Sequence, residues 1–344
     1  MRSKSKTAVA IVLSTLVLLL AGSGFVGYTW LRHAYTGPGP SKAAVRIQVE
    51  QGASVRSTLA RLASEGVVRD ATAVKLYVRI TGLRPRIQVG TYEIPAGASP
   101  AEILTMFDQG RVVLEQLTVV EGATFAEFRK ELDADPAVTH TLRGKSDAEV
   151  MAAIGHPAEA PEGRFFPDTY RFAEKTPDVE ILTVAYNAMK HALDAAWQTR
   201  STDLPYDDPY QALIMASLVE KETGVPAERP RIAGVFASRL RRGMRLQSDP
   251  TVIYGLGGGY DGDIHTRDLT TDTPYNTYTR SGLPPTPIAL PGRESLVAAV
   301  HPQESGELYF VATGDGGHHF SRTLEEHNAA VKSYLEHLRS QQQR

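Results

Sequence analysis

The sequence contains no cysteine among its 344 residues. This absence excludes disulfide bonds, thiolate metal sites and a cysteine nucleophile, and it leaves the redox compartment undecided. An excess of charge is also missing, since the formal net charge is −2 at pH 7. Proteins that bind nucleic acid usually carry a strongly basic domain, and none is present, so we expect no nucleic-acid partner.

Signals for several common chemistries are missing or incomplete. No Gly-x-Ser-x-Gly elbow of a serine hydrolase is present. His301, His318 and His327 form no helical i, i+4 ligand pair with an accompanying carboxylate, which argues against a metal site. Residues 257–262 match G-x-G-x-x-G, but no apolar helix follows, so the match indicates a loop and not a dinucleotide site. We therefore predict neither a metal nor a cofactor.

A long uncharged, largely apolar run lies at residues 7–31, directly after a short basic N-terminal tail. About 20 apolar residues span the hydrocarbon core of a bilayer, and cations before the span favour a cytoplasmic N-terminus. The alternative is a cleaved signal peptide with a processing site at residues 21–24. Because apolar and aromatic residues continue past that site to Trp30, we favour a retained single-pass anchor.

Three segments share the pattern of a strand, a glycine turn, a Ser or Thr cap and a helix. These segments are residues 47–54, 92–99 and 117–124. The second and third copies place Glu three residues after the capping residue, which fits a capping box, whereas Ser54 with Ser57 in the first copy does not. The first two copies predict a βααβ unit.

This βααβ unit, within residues 44–115, resembles a LysM-type module, a class that binds N-acetylglucosamine polymers. The alternative is a small structural α+β subdomain that orients the following domain, because no aromatic platform for stacking a sugar stands out. We predict an α+β protein with one N-terminal transmembrane helix, a LysM-like subdomain and a mixed α/β catalytic domain. The predicted segments are a cytoplasmic tail at 1–6, the transmembrane helix at 7–31, a linker at 32–43, the subdomain at 44–115 and the catalytic domain at 116–340.

The most informative stretch is an apolar helix with two carboxylates in its last turn. Asp208 is a suitable N-cap, Pro209 suits the first helical position, and Gly224 suits a left-handed stop. Glu220 and Glu222 are two residues apart and cannot share a helix face. Glu222 lies on an apolar face at the negative end of the helix dipole, where a raised pKa would suit a general acid. The alternative is an exposed terminal Glu paired with Lys221 or Arg229.

Polar loops rich in proline follow this helix, between residues 245 and 292. In the first of them, Gln247 and Asp249 precede an apolar segment that we predict to be a strand. Further on, Tyr275 and Asn276 offer an aromatic ring and an amide suited to a sugar. Since prolines restrict loop conformation, this density of polar groups predicts the wall of a cleft.

Several short segments of the catalytic domain together carry a resemblance to a known family. They are residues 220–223 (Glu-Lys-Glu-Thr), 245–252 (Arg-Leu-Gln-Ser-Asp-Pro-Thr-Val), 275–278, 282–285, 308–312, 319–321 and 326–328. In these segments the chain resembles the endolytic murein transglycosylase (YceG-like) family. The resemblance implies a lyase that is anchored in the bacterial inner membrane, with its catalytic domain facing the periplasm and cell wall. It implies cleavage of the β-1,4 bond between N-acetylmuramic acid and N-acetylglucosamine in nascent glycan strands, and cell-wall synthases as partners.

The resemblance points to Glu222 as the catalytic residue, with Glu220 as the alternative. One carboxyl would act first as acid and then as base, giving a 1,6-anhydro end, with Gln247, Asp249, Tyr275 and Asn276 holding the strand. Two other functions stay open. An ordinary hydrolase would act through Glu222 and Asp249 and release reducing ends. A non-catalytic scaffold would bind peptidoglycan without cleaving it.

Overall fold

The computed structural model describes residues 2–342, and describes side chains over residues 10–339. The chain divides into two compact units, of which the first ends at Glu115 and the second begins at Gln116. The elements of the first unit are α1 (Arg2–Thr36), β1 (Val45–Val49), α2 (Val55–Ser64), α3 (Ala71–Thr81), β2 (Gly90–Ile94) and α4 (Pro100–Asp108).

The first unit is built on the predicted βααβ order. Strands β1 and β2 pair in antiparallel register, with Val45 opposite Ile94 and Val49 opposite Gly90. Their inward residues pack with α2, α3 and α4 around Tyr92, which is fully buried. Because alternate strand residues point to one face, five-residue strands are long enough to contribute to this core.

The apolar helix α1 extends beyond the predicted span. A stretch at Ala10–Thr36 is long and apolar enough to cross a membrane, which is consistent with a single-pass anchor. The helix ends at Thr36, so the first residues of the predicted linker at 32–43 are helical. Within this helical part of the linker, the Tyr35 ring stacks on Tyr77 of α3 with centroids 4.7 Å apart, and Leu31 just before it is buried.

The rest of the linker is bound to the β2–α4 turn. The Gly39 amide donates to the Gly97 carbonyl at 3.1 Å, and the Gly97 amide donates to the Ser41 carbonyl at 2.8 Å. A Cβ at Gly39 would lie 2.6 Å from the Ala98 carbonyl oxygen, so only glycine allows this close approach. The connection between α1 and β1 therefore follows a defined path on the first unit.

The second unit is mainly helical. It is preceded by β3 (Leu114–Thr118), which spans the division between the two units. The further elements are α5 (Phe125–Ala134), α6 (Asp147–Ala153), β4 (Thr169–Ala173), α7 (Asp178–Gln198), α8 (Pro209–Glu222), α9 (Arg229–Arg241), α10 (Asp249–Leu256), α11 (Thr266–Thr270), α12 (Arg293–Val300), β5 (Tyr309–Ala312), β6 (His318–Ser321) and α13 (Leu324–Gln342). Strand β3 pairs with β4, and β5 pairs antiparallel with β6. Helix α8 lies at the centre of the core, where every residue from Ala212 to Val219 is buried against α7, α9 and α12.

Two local predictions are wrong. The apolar segment after Gln247 is helix α10 and not a strand, although Thr, Val, Ile and Tyr all favour strands. Its Asp-Pro start suits a helix N-terminus, and tertiary packing outweighs the weak strand preference of a short segment. The first capping box is also present, because the Ser57 hydroxyl accepts from the Ser54 amide at 2.9 Å as the usual Glu would. The two boxes with Glu are confirmed.

Candidate active site

Helix α8 carries the two predicted carboxylates into the site. Its start is confirmed, since the Asp208 side chain accepts from the Gln211 amide at 2.9 Å. Its end differs from the prediction, because Thr223 turns to an extended conformation (φ −144°) and Gly224 is not left-handed. The Thr223 hydroxyl accepts from the Val225 amide at 2.9 Å, which stabilises this abrupt end just after Glu222.

Glu222 lines a cavity of about 580 Å³ in the second unit. The walls come from α8, α9, the segment before α10, β5, β6 and α13. The main polar residues of the lining are Glu222, Arg239, Gln247, Asp249, Tyr278, Tyr309, His318, His327, Asn328 and Tyr334. A cavity of this volume is large enough for a sugar-sized ligand.

The environment of Glu222 holds its proton near neutral pH. Burial raises the pKa of this carboxyl to about 7, the Ser248 hydroxyl bonded to it and the positive charge of Arg239 oppose the shift, and the negative charge of Asp249 adds to it. Ser248 is itself buried and donates its hydrogen bond to Oε1 of Glu222. The raised pKa that the apolar helix face predicts for Glu222 is therefore also found in the structure.

Replacing Glu222 by Gln is expected to change how stability depends on pH. Between pH 4.5 and about 7 the folded protein keeps a proton at Glu222 that the unfolded chain releases, so stability falls as pH rises through this window. The substitution removes this loss and is expected to raise the unfolding free energy above about pH 8 by up to about 3 kcal/mol. Urea unfolding of both proteins across the pH range measures the difference.

The parent protein and Glu222→Gln share every other carboxyl, so the parent is the control for this measurement. Glu162 is a second buried carboxyl, whose pKa burial also raises to about 7. Because Glu162 is present in both proteins, its contribution cancels, and the difference reports on Glu222. Parallel pH curves for the parent and Glu222→Gln would contradict the assigned protonation.

Glu220 lies in a different environment on the other side of α8. Its side chain is 5% exposed and accepts from the Arg229 guanidinium at 3.1 Å. It also accepts from the Gly292 amide at 2.8 Å. Arg229 is buried as well and forms further ion pairs with Glu121 and Glu294. Glu220 is thus paired with Arg229 and does not line the cavity.

Gln247 and Asp249 are brought to the cavity beside Glu222. Gln247 has a φ of +50°, a left-handed conformation that is uncommon for residues other than glycine and often marks a functional site. The Asp249 carboxylate accepts from the Tyr278 hydroxyl at 2.5 Å. Burial and this hydrogen bond raise the pKa of Tyr278, which stays protonated as the donor.

Tyr275 and Asn276 are not brought to the cavity lining. The Asn276 amide nitrogen donates to the carbonyls of Asp268 and Leu269 in α11 and of Thr271 just after it. The Asn276 side-chain oxygen accepts from the Tyr278 amide at 2.8 Å. The Tyr275 ring packs edge-on against Tyr254, and its hydroxyl bonds to Thr286 at 2.9 Å. Both residues shape the loop that presents Tyr278.

Several residues of the site were not singled out from the sequence. Ser248 donates a hydrogen bond to Glu222. The cavity that Glu222 lines is also lined by Arg239, Tyr278 and His318, and the charge of Arg239 acts on Glu222. Ser248 and Tyr278 do lie within polar motifs of the sequence, which is the signal that could have found them. Arg239 sits in a basic run typical of a solvated helix face, yet it is buried and donates to the carbonyls of residues 246 and 308.

A group of potential metal ligands lies outside this cavity. Asp133, His140 and Asp178 bring ligand atoms within 4.8 Å of one another. Asp178 already accepts hydrogen bonds from the Leu142 and Val179 amides, as expected of a carboxylate that stabilises the start of α7. Arg129 lies 3.8 Å from Asp133, and its positive charge disfavours a cation there.

Comparison with known proteins identifies the family. Residues 47–333 match the model of the YceG-like family, and the chain belongs to this family. An endolytic murein transglycosylase of Bacillus subtilis is 32% identical over 314 residues, covering 86% of each chain. An endolytic murein transglycosylase of Streptococcus pneumoniae is 26% identical and covers 95% of this chain, which spans 65% of that relative's length.

A solved structure supports the same conclusion. The crystal structure of the yceG-like protein lmo1499 from Listeria monocytogenes aligns with a TM-score of 0.52 at 28% identity. The alignment covers 84% of this chain and 99% of that one. The fold and the sequence therefore both point to the YceG-like family.

Proposed function

We propose that this protein is an endolytic lytic transglycosylase of peptidoglycan that cleaves the β-1,4 bond between N-acetylmuramic acid and N-acetylglucosamine. The observation that carries the proposal is a single carboxyl, Glu222, with a pKa of about 7 in a cavity of about 580 Å³. A general acid works best when its pKa lies near the working pH. The names of the relatives agree with this substrate class.

The reaction needs one carboxyl acting twice. Protonated Glu222 gives its proton to the glycosidic oxygen as the bond to the anomeric carbon breaks, and the N-acetyl group of the muramyl residue stabilises the positive charge. The resulting carboxylate then takes the proton of the muramyl 6-hydroxyl, whose oxygen bonds to the anomeric carbon. Glu222 ends protonated, no water is consumed, and the product carries a 1,6-anhydro end.

Neighbouring groups support these two steps. Ser248 donates to Oε1 of Glu222 and so fixes the orientation of the carboxyl. Gln247 and Asp249, which line the same cavity, are proposed to bind the strand through amide and carboxylate hydrogen bonds. Tyr275 and Asn276 are proposed to act through the loop they hold, because their polar groups are bonded within it.

The same proposal also covers the location of the protein in the cell, the role of its first unit and its partners. Helix α1 would cross the inner membrane once, with the N-terminus in the cytoplasm and the catalytic residues, within 116–340, on the side of the cell wall. The βααβ unit within 44–115 would be a LysM-like module that binds or positions glycan. Cleavage of nascent strands beside wall synthases would end strand elongation.

Product analysis tests the reaction. Purified protein is incubated with uncross-linked glycan strands in water enriched in heavy oxygen, and the fragments are examined by mass spectrometry before and after borohydride reduction. We expect fragments lighter than hydrolysis products by one water, without heavy oxygen, whose muramyl ends resist reduction. Glu222→Gln protein, handled identically, is the control for contaminating activity.

Each alternative has its own signature in this experiment. Reducible ends that contain heavy oxygen would replace the proposal with a hydrolase acting through Glu222 and Asp249, both of which line the cavity. Strand binding without any cleavage by the parent protein would indicate a scaffold.

A further inference from the structure

A histidine and a carboxylate form a dyad at the wall of the cavity. The Nδ1 atom of His318 lies 2.7 Å from the Glu228 carboxylate, and the His318 backbone amide donates to the other carboxylate oxygen at 2.9 Å. Glu228 ends the short 3₁₀ turn Pro226–Glu228 that follows α8, whereas His318 begins β6. Two parts of the chain that are distant in sequence therefore meet here.

The carboxylate of this dyad is held ionised. Burial alone would raise the pKa of Glu228, but the hydrogen bonds from the side chain and backbone of His318 outweigh it and keep the pKa below its ordinary value. The Thr223 hydroxyl adds a longer contact at 3.4 Å. An ionised carboxylate only accepts hydrogen bonds, so Nδ1 of His318 carries the hydrogen.

This arrangement leaves the other ring nitrogen free. With Nδ1 donating to Glu228, Nε2 is the ring nitrogen left for a ligand, and within the described part of the chain no hydrogen bond to Nε2 is found. The ring side chain is only 14% exposed and is flanked by Phe310, with centroids 5.5 Å apart at 89°. Glu228 covers the Nδ1 edge of the ring, and His318 is one of the residues that line the cavity.

We propose that His318, oriented by Glu228, is a substrate-binding residue of this cavity that forms a hydrogen bond with a sugar hydroxyl at Nε2. The inference rests on the proposed function, because a glycan strand supplies the hydroxyl. It also gives Thr223 a role, since its hydroxyl links the end of α8 to the Glu228 carboxylate. The dyad and Glu222 then bind and cleave one strand in the same cavity.

Two substitutions of His318 distinguish the contact made at Nδ1 from the contact made at Nε2. His318→Asn keeps a side-chain amide at the place of Nδ1, where it can still donate to Glu228, but has nothing at Nε2. His318→Gln instead places its amide where Nε2 lies. A lost hydrogen bond to a ligand costs about five- to tenfold in affinity, so His318→Asn is expected to weaken strand binding by about that factor and His318→Gln by less.

The matched control is His319, the next residue on β6. It is exposed and does not line the cavity, so His319→Asn makes the same chemical change outside the site. Binding of purified glycan strands is measured by calorimetry in proteins that also carry Glu222→Gln, which prevents cleavage. Thermal unfolding of each variant verifies that the fold is retained.

The outcomes separate this inference from the proposed function. If strands bind and His318→Asn has the same Kd as His319→Asn, the inference is overturned while the proposed function stands. If the parent neither cleaves nor binds strands, the proposed function itself fails. In otherwise unmodified protein, we expect His318→Asn to raise KM more than it lowers kcat, because the contact is made in both the ground state and the transition state. If His318→Asn unfolds, equal Kd values for His318→Gln and a His318→Phe variant would overturn the inference.

Discussion

On the proposed function, Glu222→Gln protein is expected to fold normally and to cleave glycan strands at least about 10²-fold more slowly than the parent, the usual contribution of a general acid or base. Glutamine keeps the size of the side chain and can still accept the Ser248 hydrogen bond to Oε1. It has no proton to give to a glycosidic oxygen and cannot accept one from the muramyl 6-hydroxyl. Initial rates of formation of anhydro ends measure the loss, and circular dichroism verifies the fold.

Glu220→Gln is the matched control, because it makes the same change two residues away. Glu220 is bonded to Arg229 and to the Gly292 amide and does not line the cavity. We expect this variant to lose stability, while the rate per folded molecule stays within a few-fold of the parent. Near-parental turnover by Glu222→Gln, together with a large loss in Glu220→Gln, would transfer the catalytic role to Glu220.

Replacing Arg229 by Met is expected to lower the unfolding free energy by about 3–5 kcal/mol, the cost of breaking a buried ion pair from one side. The Arg229 side chain is 8% exposed and that of its partner Glu220 is 5% exposed, so water cannot compensate the carboxylate left behind. The other partners, Glu121 and Glu294, are at least half exposed and contribute less. Urea unfolding at neutral pH measures the change.

Lys190→Met is the control for this substitution, since Lys190 forms an exposed ion pair with Asp194 on α7. The two side chains are 58% and 44% exposed, and such a pair stabilises by less than about 1 kcal/mol. Arg229→Met should therefore be much less stable than Lys190→Met. A difference below about 1 kcal/mol would show that Glu220 does not depend on its ion pair.

Local features of the fold could be predicted from the sequence because their causes are local. The capping boxes at Ser99 and Thr124 each depend on two residues three apart. Helix α7 (Asp178–Gln198) is amphipathic, and the spacing of its apolar residues along the sequence indicates a helix. Helix α10 was not predicted, because its short β-branched segment is helical through its Asp-Pro start and its packing against α8.

The candidate site also has some features that the local sequence predicts and others that it does not. The position of Glu222 on an apolar helix face follows from helical spacing, and its raised pKa follows from that face. The contacts around it do not follow, since Ser248 is 26 residues away in sequence and His318 is 90 residues from Glu228. Asn276 shows the opposite error, because its motif predicts a polar ligand group while both polar atoms of its side chain are hydrogen-bonded to the backbone of α11 and of the segment after it.

The stacking of Tyr35 on Tyr77 has a mechanical consequence for the first unit. This aromatic contact holds helix α1 against α3, and the Gly39–Gly97 hydrogen bond holds the chain after α1 against the β2–α4 turn. If α1 crosses a bilayer as proposed, its tilt would therefore also set the orientation of the antiparallel β1–β2 pair. Bilayer thickness, which affects helix tilt, would then change the orientation of the βααβ unit relative to the membrane.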